Sequence, residues 1–214
     1  VAFYVVLIAG VVLGAGAGPT ASSGWGSTDL PPDPRTYPDP PPWKLFLPAN
    51  SAELEAGLLC DPDYQTYDKS DETLPVSCVD WYEAFAFCVW DGGRLPTEDE
   101  WEAATSNNFT TKYPWGATPA WLQADDISSY AVYGGADLAP VGSRPLGRTD
   151  LGVADLLGSN WEWTFPWIGF TYGRVLKGGS ARNSVGMLYT ESREWLDPDR
   201  RELGPEPVGF RCAR

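Results

Sequence analysis

Apolar side chains recur at helical spacing in only a few short windows of this chain, and two of those windows open on a polar residue able to cap a helix. In Asp80-Trp81-Tyr82-Glu83 the aspartate can accept from the amide three residues on while Glu83 reaches back, and Trp81, Phe85 and Cys88 then share one face. The pattern predicts a helix from Trp81 to about Asp91, stopped by Gly92-Gly93. Thr97-Glu98-Asp99-Glu100 repeats the arrangement, with Trp101 and Ala104 on the inner side and Ser106-Asn107 ending it. A shorter run from Ser51 to Leu59 predicts another helix leading to Cys60, followed by an acidic loop from Asp61 to Glu72. Beyond Tyr113 the pattern turns to loops and brief extended runs, of which Arg174–Lys177 and Val208–Ala213 read most clearly as strands.

Residues 19 to 50 carry Pro31-Pro32, Pro34, Pro38 and Pro40-Pro41-Pro42 with Trp25, Trp43 and Phe46 among them. Proline at that density forbids regular helix or a central strand and predicts a wrap over the surface, pinned by the aromatics. Val1 to Gly18 carries no charge, sits at the lower limit of a membrane span, and ends in small residues that resemble a signal-peptidase site near Ala15-Gly16-Ala17. It reads as a signal or anchor remnant or as the first element of the domain; with Val first and no basic stretch, a fragment is expected. The organisation is therefore an apolar segment at 1–18, a proline-rich wrap with a short helix at 19–73, and a domain at 74–214.

Composition narrows the chemistry. The 214 residues carry 15 Lys plus Arg against 29 Asp plus Glu, a net charge of −14 that repels phosphate backbones and anionic headgroups, so no nucleic-acid partner is expected and a membrane only through the N-terminal segment. There is no histidine, which removes Ser/His/Asp triads, Cys/His dyads, His-ligated zinc or iron and axial haem ligation. Eleven Trp, 20 Pro and 23 Gly point to a loop-rich fold held by aromatics and by cross-links or ions. Cys60, Cys78, Cys88 and Cys212 form no C-x-x-C pair; their even number favours two disulfides and an oxidising, extracytoplasmic compartment. Three connectivities are open, and a bridge from Cys88 to the terminal Cys212 closes a loop of more than a hundred residues, with a correspondingly large chain-entropy stabilisation. Asn108-Phe109-Thr110 is a glycosylation sequon of the kind that often arises by chance.

Leu74-Pro75-Val76 with Trp81 and Cys88, then Gly93-Arg94-Leu95-Pro96-Thr97-Glu98-Asp99-Glu100-Trp101-Glu102, closely resembles the formylglycine-generating enzyme (sulfatase-modifying factor) family. Tyr113-Pro114-Trp115-Gly116, Pro140-Val141-Gly142-Ser143, Gly158-Ser159-Asn160-Trp161-Glu162-Trp163, Lys177-Gly178-Gly179-Ser180 and Gly209-Phe210-Arg211-Cys212-Ala213 follow in family order. The resemblance implies an α+β, variant C-type-lectin-like fold, loop-rich with short helices and small antiparallel sheets. It also implies a structural disulfide between Cys88 and Cys212, leaving Cys60 and Cys78 as the second pair. The family's upstream strand and Glu-Val-Thr segment do not appear, in keeping with a fragment.

The family's aerobic enzymes hold copper on two cysteines placed three and eight residues beyond Gly-Gly-Ser, and here Asn183 and Leu188 stand there. An amide and an alkyl group cannot replace thiolates around soft Cu(I), so copper is not expected. A related sulfoxide synthase of the ergothioneine pathway carries iron on histidines of a separate domain, which this chain cannot supply. The expected role is a recognition or accessory module with a protein or peptide ligand, as in the phage and bacterial variable binding proteins that use the same fold. The alternative is an oxidoreductase converting a sulfatase cysteine to formylglycine.

The resemblance further places one calcium site on Asp155, Gly158, Asn160 and Glu162, with two carboxylates and two backbone carbonyls supplying the oxygen donors that hard Ca²⁺ takes. Ser159 replaces the motif's usual asparagine, and the competing reading is a solvated acidic turn with Trp161 and Trp163 in the core. A second calcium site falls near Asp125 and Asp126. Glu98, Asp99, Glu100 and Glu102 are assigned to helix capping and the helix dipole rather than to acid–base chemistry. Arg94 and Arg211 are candidates for internal pairing or for a binding groove, and Trp195, Arg193 and Tyr189 for a recognition surface or for core packing.

Overall fold

The structure is a computed structural model, and it describes residues 46–67, 71–117, 127–165 and 173–213. The apolar segment at 1–18, the proline-rich stretch as far as residue 45, and Asp125 and Asp126 lie outside the described residues. Among the described residues three α-helices come first: α1 (Ser51–Leu58), α2 (Trp81–Trp90) and α3 (Glu98–Thr105). Both predicted capping boxes form, with Asp80 accepting from Glu83 N at 2.9 Å and Thr97 accepting from Glu100 N at 3.2 Å. Each box satisfies amides that a helix start leaves unpaired, which is how such short helices hold their first turn. Asn50 caps α1 through Glu53 N at 3.1 Å.

Five strands follow, β1 (Trp161–Trp163), β2 (Arg174–Lys177), β3 (Arg193–Leu196), β4 (Glu202–Leu203) and β5 (Glu206–Phe210), in spatial order β3-β2-β1-β5-β4. Neighbours are antiparallel except β1 and β5, which run parallel with Trp161 opposite Val208 and Trp163 opposite Phe210. The sheet is thus a single mixed one rather than small antiparallel sheets. The last strand ends at Phe210, with Ala213 only bridging back to Arg94, because Cys212 leaves the sheet to bond Cys88.

Two apolar clusters flank the functional region. The larger packs Trp81, Phe85, Leu95, Trp161, Trp163 and Leu176 between α2 and the sheet, and the smaller gathers Trp101, Ala104, Tyr113, Leu156, Leu157 and Leu188. Indole nitrogens buried in the first cluster find carbonyls, Trp81 Nε1 to Thr164 O at 2.9 Å and Trp163 Nε1 to Val79 O at 2.7 Å, so burying these rings leaves no unpaired donor. Among the described residues no helix is long and apolar enough to cross a membrane.

Candidate functional site

Asp155 to Glu162 form the bend that leads into β1. Asp155, Gly158 and Ser159 all adopt left-handed backbone, with φ of 55°, 79° and 66°, a conformation Gly and Asn tolerate best. Gly158 is required twice over, since a Cβ there would sit 2.3 Å from Val132 O. Ser159 holds the same left-handed geometry that an asparagine would, which explains the motif's usual residue in physical terms.

Three of the four predicted oxygen residues converge. Asp155, Asn160 and Glu162, joined by Ser159, line a small cavity of about 20 Å³ walled by Pro75, Val76, Val141 and Phe210. Gly158, expected to contribute a carbonyl, is not among the residues lining this cavity; its amide is used to bond Gly178 O at 2.9 Å. Asp155 Oδ2 accepts from Gly142 N at 2.6 Å. The Glu162 carboxylate accepts from Arg211 Nε and Nη2, both at 2.5 Å, and from Trp101 Nε1 at 2.7 Å. A carboxylate offers about four lone-pair sites, so Glu162 retains room for one more partner. Among the described residues no three His, Cys, Asp or Glu side chains are placed to hold a metal; the donors here are two carboxylates and neutral oxygens, a set suited to calcium and unsuited to softer ions. Asn160 Oδ1 is buried without a hydrogen-bond partner, an unmet acceptor that a cation in the cavity would satisfy.

Arg211, expected from the sequence to be either paired or groove-facing, is fully buried and internal. Beyond Glu162 it donates to Ala154 O at 3.3 Å and Asp155 O at 3.2 Å. Arg94 is internal as well, forking onto both Glu100 oxygens at 2.6 Å. Burial alone would raise the Glu100 carboxyl, but these bonds and those from Thr97 hold it below the ordinary carboxylate range.

Glu98 and Glu102 of α3 also have structural partners. Lys177, whose side chain is 0% exposed, donates to Glu102 at 2.6 Å and lies 3.6 Å from Glu98. Burial, followed by repulsion from Glu102 and Glu98, raises the Asp99 carboxyl. Glu98, Glu100 and Glu102 are thus engaged in structural pairs.

The positions corresponding to the copper cysteines both come close to Gly179. A Cβ at Gly179 would lie 3.4 Å from Asn183 Oδ1 and 3.6 Å from Leu188 Cδ2. Asn183 braces the loop: its Oδ1 accepts from Ser180 N at 2.7 Å and its Nδ2 donates to Glu206 at 2.5 Å. The same Glu206 carboxylate takes the Trp161 indole N–H. Leu188 is fully buried in the cluster around Trp101. The cysteines sit elsewhere, bonded Cys60–Cys78 and Cys88–Cys212 with Cα separations of 5.5 and 5.4 Å, and no cysteine is free.

On the outer strand β3, Trp195 is 48% exposed with the Arg193 guanidinium 5.3 Å from its ring, and Arg193 also reaches Glu98 at 3.1 Å. Tyr189 does not join that surface; it is half-buried against the Trp101 cluster. The sequence missed one ionic cluster, Asp80 and Glu83 with Arg201. Arg201 forks onto Glu83 at 2.5 and 2.6 Å and reaches Asp80 at 3.2 Å. A contact between residues more than a hundred positions apart leaves no local pattern to read.

With this geometry in place, the likeness to known proteins is informative. The sulfatase-modifying factor enzyme 1-like domain matches residues 51–214, and the chain belongs to that family. Hercynine oxygenase of Mycobacterium tuberculosis is 37% identical over 153 residues, which cover 60% of this chain and 35% of that protein. Inactive C-alpha-formylglycine-generating enzyme 2 of Mus musculus is 35% identical over 161 residues, 65% of this chain and 49% of that protein. Formylglycine-generating enzyme of the same organism is 29% identical over 177 residues, 71% of this chain and 46% of that one. The chain spans about a third to a half of the length of these curated relatives. Among solved structures, PvdO from Pseudomonas aeruginosa superposes with a TM-score of 0.56 at 19% identity over 75% of each chain. Treponema denticola variable protein 1 gives 0.52 at 20% identity over 72% of this chain and 77% of that one. At these identities the likeness shows the fold, a loop-rich α+β domain.

Proposed function

We propose that this chain is an extracytoplasmic, calcium-stabilised member of the sulfatase-modifying factor family that works as a recognition or accessory module and does not oxidise cysteine. The observation that carries the reading is the pair of positions facing Gly179, where Asn183 is an amide committed to Ser180 and Glu206 and Leu188 is a buried alkyl group. Cu(I) takes thiolate ligands, and all four cysteines are in disulfides on other elements. Two disulfides support an oxidising compartment. The exposed Trp195–Arg193 pair on an outer strand is the kind of aromatic and arginine surface that protein or peptide ligands use. Asp155, Asn160 and Glu162 would hold the calcium, whose contribution is to join the β1 bend to the segments packed on it.

The test is a Cu(I) competition titration, combined with an oxidation assay on a peptide carrying a sulfatase-type cysteine. Wild type is expected to retain no copper and to leave the peptide thiol intact, while N183C/L188C, which restores two thiols at those positions, takes up ~1 equivalent of Cu(I). Copper-dependent oxidation of the peptide by wild type would overturn the non-oxidase reading.

A further inference from the structure

The calcium reading assigns Asn160 through its main-chain carbonyl, yet the side chain is the unusual part of this residue. Asn160 is only 6% exposed, its Oδ1 has no hydrogen-bond partner, and its Nδ2 donates to Val76 O at 2.8 Å. That bond fixes which end of the amide is oxygen, because the flipped rotamer would set Oδ1 against another carbonyl oxygen. The amide also has a place reserved for it: a Cβ on Gly209 would lie 2.6 Å from both Asn160 Nδ2 and Val76 O. An unpaired buried acceptor is thus held in position by two other segments of the chain.

The surroundings say what it is aimed at. The cavity of about 20 Å³ that Asn160 lines with Asp155, Ser159 and Glu162 is large enough for a single ion or water. Asn160 Oδ1 is the acceptor there without a partner, and the Asp155 and Glu162 carboxylates, already bonded to Gly142 N and to Arg211 and Trp101, keep lone pairs that a cation could use. A water molecule has only two hydrogens to offer them, whereas a cation satisfies any number of oxygens that fit around it. The charge points the same way, since Asp155 and Glu162 together carry one more negative charge than the Arg211 guanidinium neutralises.

We infer that Asn160 Oδ1 is a direct calcium ligand in this chain, acting with Asp155 and Glu162, and that its Nδ2 bond to Val76 links metal occupancy to the segment leading into the Cys60–Cys78 disulfide. The inference rests on the calcium reading and adds a ligand and a mechanical connection to it. Ligation would end the isolation of Oδ1 and tighten the amide against Val76. The residues just beyond, Ser77 and Cys78, would be ordered with it, because Ser77 Oγ already donates to Tyr64 O at 2.6 Å.

The experiment is calcium titration by calorimetry on the full chain after chelation, with hydrogen exchange at residues 76–78 as a second readout. Wild type should bind calcium and gain protection at Val76–Cys78 on binding. N160A should bind at least about tenfold more weakly and lose the calcium-dependent protection. Should N160A fail to fold, N160S is the second variant, whose shorter side chain withdraws the amide oxygen from the cavity and is expected to weaken calcium binding in the same sense. Wild-type affinity in folded N160A or folded N160S would overturn the ligand assignment while leaving calcium binding standing. A wild type that gives no calcium heat and no change in protection would overturn the calcium reading and this inference together, leaving a water as the occupant.

Discussion

The bend from Asp155 to Glu162 and the loop from Gly178 to Leu188 are neighbours in one scaffold, stitched by Gly158 N to Gly178 O at 2.9 Å and Ala181 N to Ser159 O at 2.7 Å. They have had opposite chemical fates. The bend keeps oxygen donors around a cavity, one of them without a partner. The loop holds an amide and an alkyl group near Gly179, each absorbed into structure by Ser180, Glu206 and the Trp101 cluster. The comparison teaches that two adjacent segments of one scaffold can differ in whether their polar groups find partners within the chain. A loop that can brace itself through Asn183 needs no metal to keep its shape, whereas a buried acceptor such as Asn160 Oδ1 costs stability until something meets it.

The sharpest way to break the comparison is to remove the cation the bend already has. Arg211→Met strips the fork from Glu162 and leaves a buried carboxylate with only Trp101 as donor. The expected loss is about 3–5 kcal/mol in urea unfolding with chelator present, and added calcium should recover part of it by supplying a replacement charge. A loss that calcium leaves unchanged would show that Glu162 answers only to arginine, and the bend would then resemble the loop after all.

A second test concerns where the thiols have gone. Cys88→Ser and Cys212→Ser should each cost about 2–5 kcal/mol, because their bridge closes a long loop and ties the end of α2 to the end of the chain. The double variant should be no less stable than the worse single one, since the first substitution already removes the bond. Additive losses in thermal unfolding would contradict the pairing and return two thiols for copper to claim.

How much of this was legible beforehand follows from the range of the interactions. Helices α2 and α3 are local events: a capping residue, a glutamate three positions on and an apolar face sufficed to place them, and the capping boxes form as read. Strand β2 is likewise a compact apolar run, and its residues are the expected ones. Strands β1, β3 and β4 were not read, because Trp161–Trp163 looks like the tail of a turn motif and two- to four-residue strands acquire their identity only from partners across the sheet. At the candidate site, Asp155, Asn160 and Glu162 were reached through family motifs. The unmet Asn160 Oδ1 was not, because it depends on Val76 and Gly209, which lie far from it in sequence. Arg201 was overlooked for the same reason.

That overlooked arginine supplies the smallest and most discriminating prediction. Asp80, Glu83 and Arg201 repeat the stoichiometry of Asp155, Glu162 and Arg211, two carboxylates to one guanidinium. The excess charge is met differently. Burial first, and then repulsion from Glu83, push the Asp80 carboxyl up to about 6, against the amide bonds and Arg201 that favour its charged form. A carboxyl raised in the folded state binds more protons there than in the unfolded chain, so its contribution is complete below the unfolded value of 3.8 and is lost as pH climbs through about 6. Stability should therefore rise by roughly 2 kcal/mol as pH falls from 7 to 4.5, until Glu100, held low by Arg94, begins to lose its pairing at more acid pH. Asp80→Asn keeps a capping oxygen but cannot titrate, and most of that rise should be missing from its melting profile, with the smaller remainder left to the raised Asp99 carboxyl. Calcium should not alter the Asp80 profile, because here a proton takes the part proposed for a metal at the bend. A wild-type profile that falls on acidification through 6, or one unchanged in Asp80→Asn, would show that the two clusters do not resolve their charge by different means.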